Sequence, residues 1–189
     1  MRKSIFIQSA ALLVTAVLVL SCSPSRPSAY RGLPTTYSVA YAQAHGHCYD
    51  SIAQAVVSLD LYSNGLELNS DYRIHGTGYN LCFSDIFVPD SLLAEGEYTY
   101  IRPDSLACPD YRISAFSFLP GMDFEGYPHG AYILNIEEDQ IKYIQLLDSG
   151  SFVYRNDSLI FTLYYKNTYG YKSTYRCSFS GALTPWQSK

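Results

Sequence analysis

The stretch SGSFVYRNDSLIFTLYYKNTYGYKSTYRCSFSGAL, Ser149 to Leu183, decides the fold class. Its apolar side chains recur at every second position. Leu159, Phe161, Leu163 and Tyr165 fall on one face of an extended segment, and Tyr171, Tyr175, Cys177 and Phe179 on one face of the next. Lys172, Thr174, Arg176 and Ser178 take the opposite face. A helix would space its apolar residues three and four apart, so this alternation predicts strands. Asn156-Asp157 and Asn167-Thr168-Tyr169-Gly170 interrupt it with residues that tolerate the left-handed backbone of tight turns. The stretch therefore reads as strands joined by hairpin turns.

The same rhythm runs back through the chain. Tyr37, Val39 and Tyr41 alternate with Ser38, Ala40 and Ala42. Ala55, Val57, Leu59 and Leu61 alternate with Gln54, Ser58 and Asp60, and Ser63-Asn64-Gly65 then turns. Tyr79, Leu81 and Phe83 alternate with Asn80, Cys82 and Ser84 until Val88-Pro89-Asp90, where proline removes a ladder donor. Shorter segments follow at Glu97 to Ile101, at 112–118, at Ala131 to Ile136 and at Ile141 to Leu146. Glu137-Glu138-Asp139-Gln140 reads as a polar hairpin loop between the last two. Pro89 to Glu95 is the single helical candidate, of one turn at most. Roughly ten short strands separated by turn chemistry predict an all-β fold, an antiparallel sandwich or alternatively a closed barrel.

The first residues place the chain in the cell. Met1-Arg2-Lys3 is a basic start, and Ala10 to Leu20 is an apolar run that includes one tolerated polar residue, Thr15. That run has the length of a signal-peptide core and is too short for a bilayer, which needs about 20 apolar residues. Val19-Leu20-Ser21 precedes Cys22, an order that resembles the bacterial lipobox. The resemblance implies cleavage before Cys22 and acylation of its thiol. Each buried CH₂ contributes about 0.8 kcal/mol and one chain anchors only marginally, so two or three chains make a lasting anchor. Residues 1–21 are thus read as a signal peptide, 22–35 as an acylated tether rich in Pro and Ser, and 36–189 as one β domain.

Removing Arg2 and Lys3 with the signal leaves 11 basic residues against 17 acidic ones, a net charge of −6. An acidic chain argues against nucleic acid and against electrostatic attraction to anionic lipid. The membrane contact is assigned to the acyl chains. Ser23 follows Cys22 where an inner-membrane retention signal would carry Asp, and no acidic cluster follows it. Both features favour a periplasm-facing outer-membrane protein. Cys48, Cys82, Cys108 and Cys177 remain for the domain, and export permits disulfides. Four cysteines allow three full pairings, and the sequence does not choose between them. At least one disulfide is expected.

Three stretches carry a family likeness: SLDLYSNGLEL leading into GTGYNLCFSDIFVP, then LLAEGEYTY, then the opening Ser149–Leu183 segment. Their turn and strand rhythm resembles small β-rich lipoproteins of Bacteroidetes, mostly of uncharacterised function. The resemblance implies fold and compartment and transfers no functional residue.

Chemistry is faint in the sequence. No glycine-rich phosphate loop, HExxH or G-x-S-x-G occurs, and no C-x-x-C spacing suggests zinc. His45 and His47 could share a strand face and a metal, but no third ligand can be named, so a surface loop is the expectation and no metal or cofactor is assigned. His75 and His129 are isolated. Asp85 would continue the apolar face of Tyr79, Leu81 and Phe83, which would make it a costly buried carboxylate. The expectation is instead that the strand ends or bulges at Ser84 and exposes Asp85. Glu137, Glu138 and Asp139 lack the spacing of a calcium loop and read as a solvated tip. Among 19 tyrosines, Tyr98, Tyr100, Tyr164, Tyr171 and Tyr175 are candidates for an aromatic contact surface toward an envelope protein or glycan. The leading function is a non-catalytic, lipid-anchored binding or structural module of the envelope. A lipocalin-like barrel for a small apolar ligand comes second, and an envelope hydrolase last.

Overall fold

The computed structural model describes residues 32–47, 55–69, 71, 73–102 and 113–185. Cys22, the tether up to Arg31, Cys48 and Cys108 lie outside the described residues, as does the side chain of His47. The described residues form strands and no helix, so no helix among them is long and apolar enough to cross a membrane. The strands are β1 (Thr36–Tyr37), β2 (Val39–His47), β3 (Ala55–Tyr62), β4 (Leu66–Leu68), β5 (Ile74–Gly76), β6 (Gly78–Val88), β7 (Gly96–Tyr100) and β8 (Ser117–Phe118). They continue with β9 (Met122–Phe124), β10 (Tyr127–His129), β11 (Ala131–Glu137), β12 (Gln140–Leu146), β13 (Ser149–Arg155), β14 (Ser158–Lys166), β15 (Lys172–Ser180) and β16 (Thr184–Pro185). Residues 89–95, the helical candidate, form bends instead.

Turn chemistry explains the hairpins. Asn156 and Asp157, between β13 and β14, have φ of 49° and 53°, and Glu138 and Asp139, between β11 and β12, have 51° and 65°. Both are two-residue turns with two left-handed positions, the kind whose twist matches paired strands. The β14–β15 connection is longer, residues 167–171, and there Asn167 Oδ1 accepts the backbone N–H groups of Tyr169 and Tyr171, both at 3.0 Å.

The main sheet runs β1-β15-β14-β13-β7-β8-β6-β3-β2-β16, with β11 also on β6 and β12 on β11. Most ladders are antiparallel, but β1–β15, β7–β8 and β2–β16 are parallel. The sheet is therefore a mixed, open half-barrel. It is neither the clean antiparallel sandwich expected from the sequence nor a fully closed barrel. Its terminal strands, β1 and β16, are each held by a two-residue ladder, to β15 and β2 respectively. The domain also starts earlier than Thr36. Residues from Leu33 belong to its compact unit, with Pro34 O accepting the Tyr175 hydroxyl at 2.6 Å and Thr35 O accepting Ser178 N–H at 3.0 Å.

The concave face holds the main core. Leu59, Leu61, Leu81, Phe83, Ile133, Leu159, Phe161 and Leu163 are each at most 1% exposed. Phe152 sits at the centre. Its ring lies 4.5 Å from Tyr98, 5.3 Å from Phe161, 5.4 Å from Phe83 and 5.6 Å from Phe118. Rings at these distances are in contact, so they fill the space between them. Each fully buried side chain of this size contributes about 1.5–3 kcal/mol by leaving water.

The alternation expected over Tyr37, Val39 and Tyr41 breaks at Ser38. Tyr37 and Ala40 join the main core, whereas Val39 and Tyr41 pack on the opposite face. Ser38 is the single residue between β1 and β2, and its N–H and hydroxyl both bond Tyr62 O, at 2.9 and 3.0 Å. That side-chain bond offers the backbone an alternative to the regular ladder, and the faces switch there.

Candidate functional site

The convex face of β3, β6 and β11 is not uniformly polar, although polar residues alternate with the apolar ones along β3 and β6. Two apolar clusters lie on it. Tyr62, Leu66, Cys82, Leu134 and Ile136 form one, covered by Val39, Tyr41, Ile74 and Tyr132. Val56, Phe87, Ile101 and Ile113 form the other. Between them is a gap of about 370 Å³ lined by His45, Ser58, Asp60, Cys82, Phe83, Ser84, Asp85, His129 and Tyr132.

Strand register builds this gap. Tyr41 pairs with Asp60, Asp60 with Cys82, and Cys82 with Tyr132, so four side chains form one row across β2, β3, β6 and β11. One step along, Leu59 pairs with Phe83 but Val57 pairs with Ile86. Ser84 and Asp85 thus oppose Ser58 alone, which is a β-bulge. The bulge absorbs one residue of the alternation. Phe83 and Ile86 both stay in the main core, and Asp85 is turned to the cleft, where it is half-buried. The expected interruption at Ser84 is present, but the strand continues through it to Val88 and Asp85 is not simply exposed.

A polar network lines the floor. Cys82 Sγ donates to Asn80 Oδ1 at 2.8 Å. Asn80 Nδ2 donates to Leu61 O at 3.2 Å and reaches Asp60 Oδ1 at 3.5 Å. Burial pushes the Asp60 carboxyl above the usual carboxylate range, and hydrogen bonds from Cys82 and Asn80 offset part of the rise. Burial, with Asp60 beside it, also pushes the Cys82 thiol up, so it stays protonated and is a poor nucleophile. Tyr132, raised by burial and by Cys82, keeps its proton too. On the bulge, Ser84 Oγ donates to Asp85 Oδ2 at 2.7 Å and accepts Gly130 N–H at 2.7 Å. Among the described residues Ser84 therefore engages a carboxylate and a backbone amide rather than an imidazole, and no serine–histidine pair is assembled. His129, at the end of β10, stands edge-on to Phe124 with centroids 6.1 Å apart.

The other candidates are dispersed. Tyr98 is fully buried, stacked at 6° on Phe152; its hydroxyl donates to Ala94 O at 2.8 Å, and burial pushes it up to about 12. Tyr175 is 5% exposed and bonds Tyr37 through their hydroxyls at 2.8 Å. Neither can belong to a contact surface. Tyr100 packs against the main core, and Lys172 Nζ stands 4.5 Å over the Tyr164 ring. Tyr171 alone of the five is largely exposed, at 71%.

Cys82 and Cys177 are free thiols on opposite faces of the sheet, in different apolar clusters. The expectation of a disulfide fails for these two, because each points into its own packed layer. Cys177 is pushed up to about 12 by burial. His45 and His47 lie within β2, not in a surface loop. Among the described residues no group of three His, Cys, Asp or Glu is arranged to hold a metal ion. Asp139 does more than cap a solvated tip. It accepts Gly76 N–H and pairs with His75 at 3.2 Å, which clips the β4–β5 hairpin to the β11–β12 turn.

Sequence reasoning gave no site role to Ser58, Asp60, Ser84 or His129, although it expected an interruption at Ser84. A signal was present for the bulge: in Phe83-Ser84-Asp85-Ile86 the apolar positions are three apart rather than two. Comparison with protein-family models, with curated proteins and with solved structures finds no match to this chain.

Proposed function

We propose that the chain is a lipid-anchored envelope protein, held through acylated Cys22 at the outer membrane, whose β domain is a non-catalytic binding module. The observation that carries the binding reading is the polar gap on the convex face, set between two apolar clusters. Its volume is near the lower end of small-molecule sites, which span about 300–1,000 Å³. The contacting rings of Phe83, Phe118, Phe152 and Phe161 favour this outer cleft over a lipocalin-like interior cavity. The protonated thiol of Cys82 and the engaged hydroxyl of Ser84 favour binding over covalent catalysis.

A hydrolase is the second reading. The convergence of Asp60, raised by burial, with Asp85 in one cleft favours it, since acid–base pairs need two carboxyls in different environments. The readings part on one experiment. Full-length protein is screened against chromogenic glycosides and esters beside Asp60→Asn and Asp85→Asn. A binding module turns over none of them, whereas turnover by wild type that both variants lose overturns the non-catalytic assignment. The anchor is tested by metabolic labelling with a fatty-acid probe. Wild type takes up label and stays with the membrane, and Cys22→Ala does neither. Label retained by Cys22→Ala refutes the anchor.

A further inference from the structure

We propose that the convex-face cleft takes a small ligand bearing a protonated amine, seated between Asp60 and Asp85. The proposal rests on the cleft being the binding site and names the chemistry it selects. Three observations carry it. The cleft has a volume of about 370 Å³, enough to seat a small polar ligand against its floor. Both carboxyl residues of the lining enter from neighbouring strands, and the basic side chains of the lining are the imidazoles of His45 and His129, with no lysine or arginine. Third, the bulge exists at the one place where it turns Asp85 out of the main core and into this volume.

The hydrogen bonding is one-sided. Ser84 satisfies one oxygen of Asp85, Oδ2, and among the described residues nothing satisfies the other. Asp60 is met by Asn80 at 3.5 Å, by the Cys82 thiol and, through its charge, by His45, the smallest of the three influences, which together offset only part of the cost of its burial. Carboxylates withdrawn from water are costly unless paired with a cation. An ammonium group supplies that charge and three donors, enough for both carboxylates and a hydroxyl of Ser58 or Ser84. A neutral polyol offers donors without the charge, and an anion would be repelled.

The test is calorimetric and NMR titration of the folded protein with matched probes, glucosamine against glucose and butylamine against butanol. The amines are expected to bind saturably and to shift the backbone signals of Ser58, Asp60, Ser84 and Asp85. Their neutral counterparts are expected to bind at least tenfold more weakly. Asp85→Asn lowers amine affinity about tenfold, and Ser58→Lys, which carries an ammonium into the cleft, blocks it. Circular dichroism confirms that each variant is folded. If glucose binds the cleft as well as glucosamine, the amine proposal is wrong and the binding reading stands. If amines bind Asp85→Asn and Ser58→Lys as well as wild type, they sit elsewhere on an acidic surface and the proposal is wrong. If no probe of either pair binds, the amine proposal and the cleft as a small-molecule site both fail.

Discussion

The two faces of β3 and β6 are written in the same eight or so residues of each strand, yet they do opposite things. On the concave face Leu59, Leu61, Leu81 and Phe83 are sealed into an aromatic core. On the convex face the residues between them, Ser58, Asp60, Cys82 and Ser84, floor a polar cleft. Alternate side chains leave a strand in opposite directions, so one backbone serves both surfaces. The concave face tolerates one solution, rings in mutual contact. The convex face keeps an unfilled gap, with a half-buried carboxyl residue turned toward it. Burial that is complete serves stability, and burial that stops short leaves groups to bind.

The comparison is broken most directly at its centre. Phe152→Ala removes the ring that touches Tyr98, Phe83, Phe118 and Phe161. Urea denaturation is expected to lose about 3–5 kcal/mol; a loss below about 1 kcal/mol would mean the concave face is not a packed core. Gly130 joins the two faces. It has a φ of 72°, its N–H supports Ser84, and an added Cβ would overlap the Pro120 carbonyl. Gly130→Ala should cost about 1–3 kcal/mol through backbone strain, with the NMR signals of Ser84 and Asp85 shifted. Unmoved signals there would show that Gly130 does not hold the bulge.

Smaller effects sharpen the convex face. The Asp60 carboxyl is raised in the fold, so the folded state binds its proton more tightly than the unfolded state does. Its contribution is fully present below the unfolded carboxylate pKa and is lost as pH rises through the raised value. Thermal melts of wild type against Asp60→Asn should therefore diverge with rising pH, the variant gaining on wild type at neutral pH. Parallel curves would mean Asp60 is well solvated. The smallest effect is at the clip. Asp139 is lowered, first by the Gly76 N–H and then by His75. Its contribution is present above the unfolded pKa and lost as pH falls through the folded one. Asp139→Asn should flatten the acid side of the stability curve slightly, and His75→Ala should do less, because the backbone bond is the larger cause. An equal or larger effect from His75→Ala would reverse that order.

Much of the fold was legible because its signals are local. Leu159, Phe161 and Leu163 declare a strand by their spacing, and Asn156-Asp157 declares the turn before it by the backbone those residues tolerate. The candidate site was less legible. Asp85 was recognised as anomalous and a bulge at Ser84 was among the expectations, but the bulge leaves Asp85 half-buried and turned toward a cleft rather than exposed. Asp60 stood out only as a polar residue alternating with Leu59 and Leu61. Tyr98 and Tyr175 looked able to form a surface and are core.

The sequence by itself determined the longer strands, most of their turns and, away from Ser38 and the bulge at Ser84 and Asp85, which residues share a face, since a period of two needs only neighbours along the chain. Tertiary structure alone decided which face would be covered, and how far. Leu66 and Ile74 come from a hairpin outside β3 and β6, Tyr132 comes from β11, and together they roof one end of the convex face. Ile101 and Ile113 close the other end. Burial, and with it the raised carboxyl of Asp60, is set by what folds over a residue from elsewhere in the chain, and no local pattern contains that.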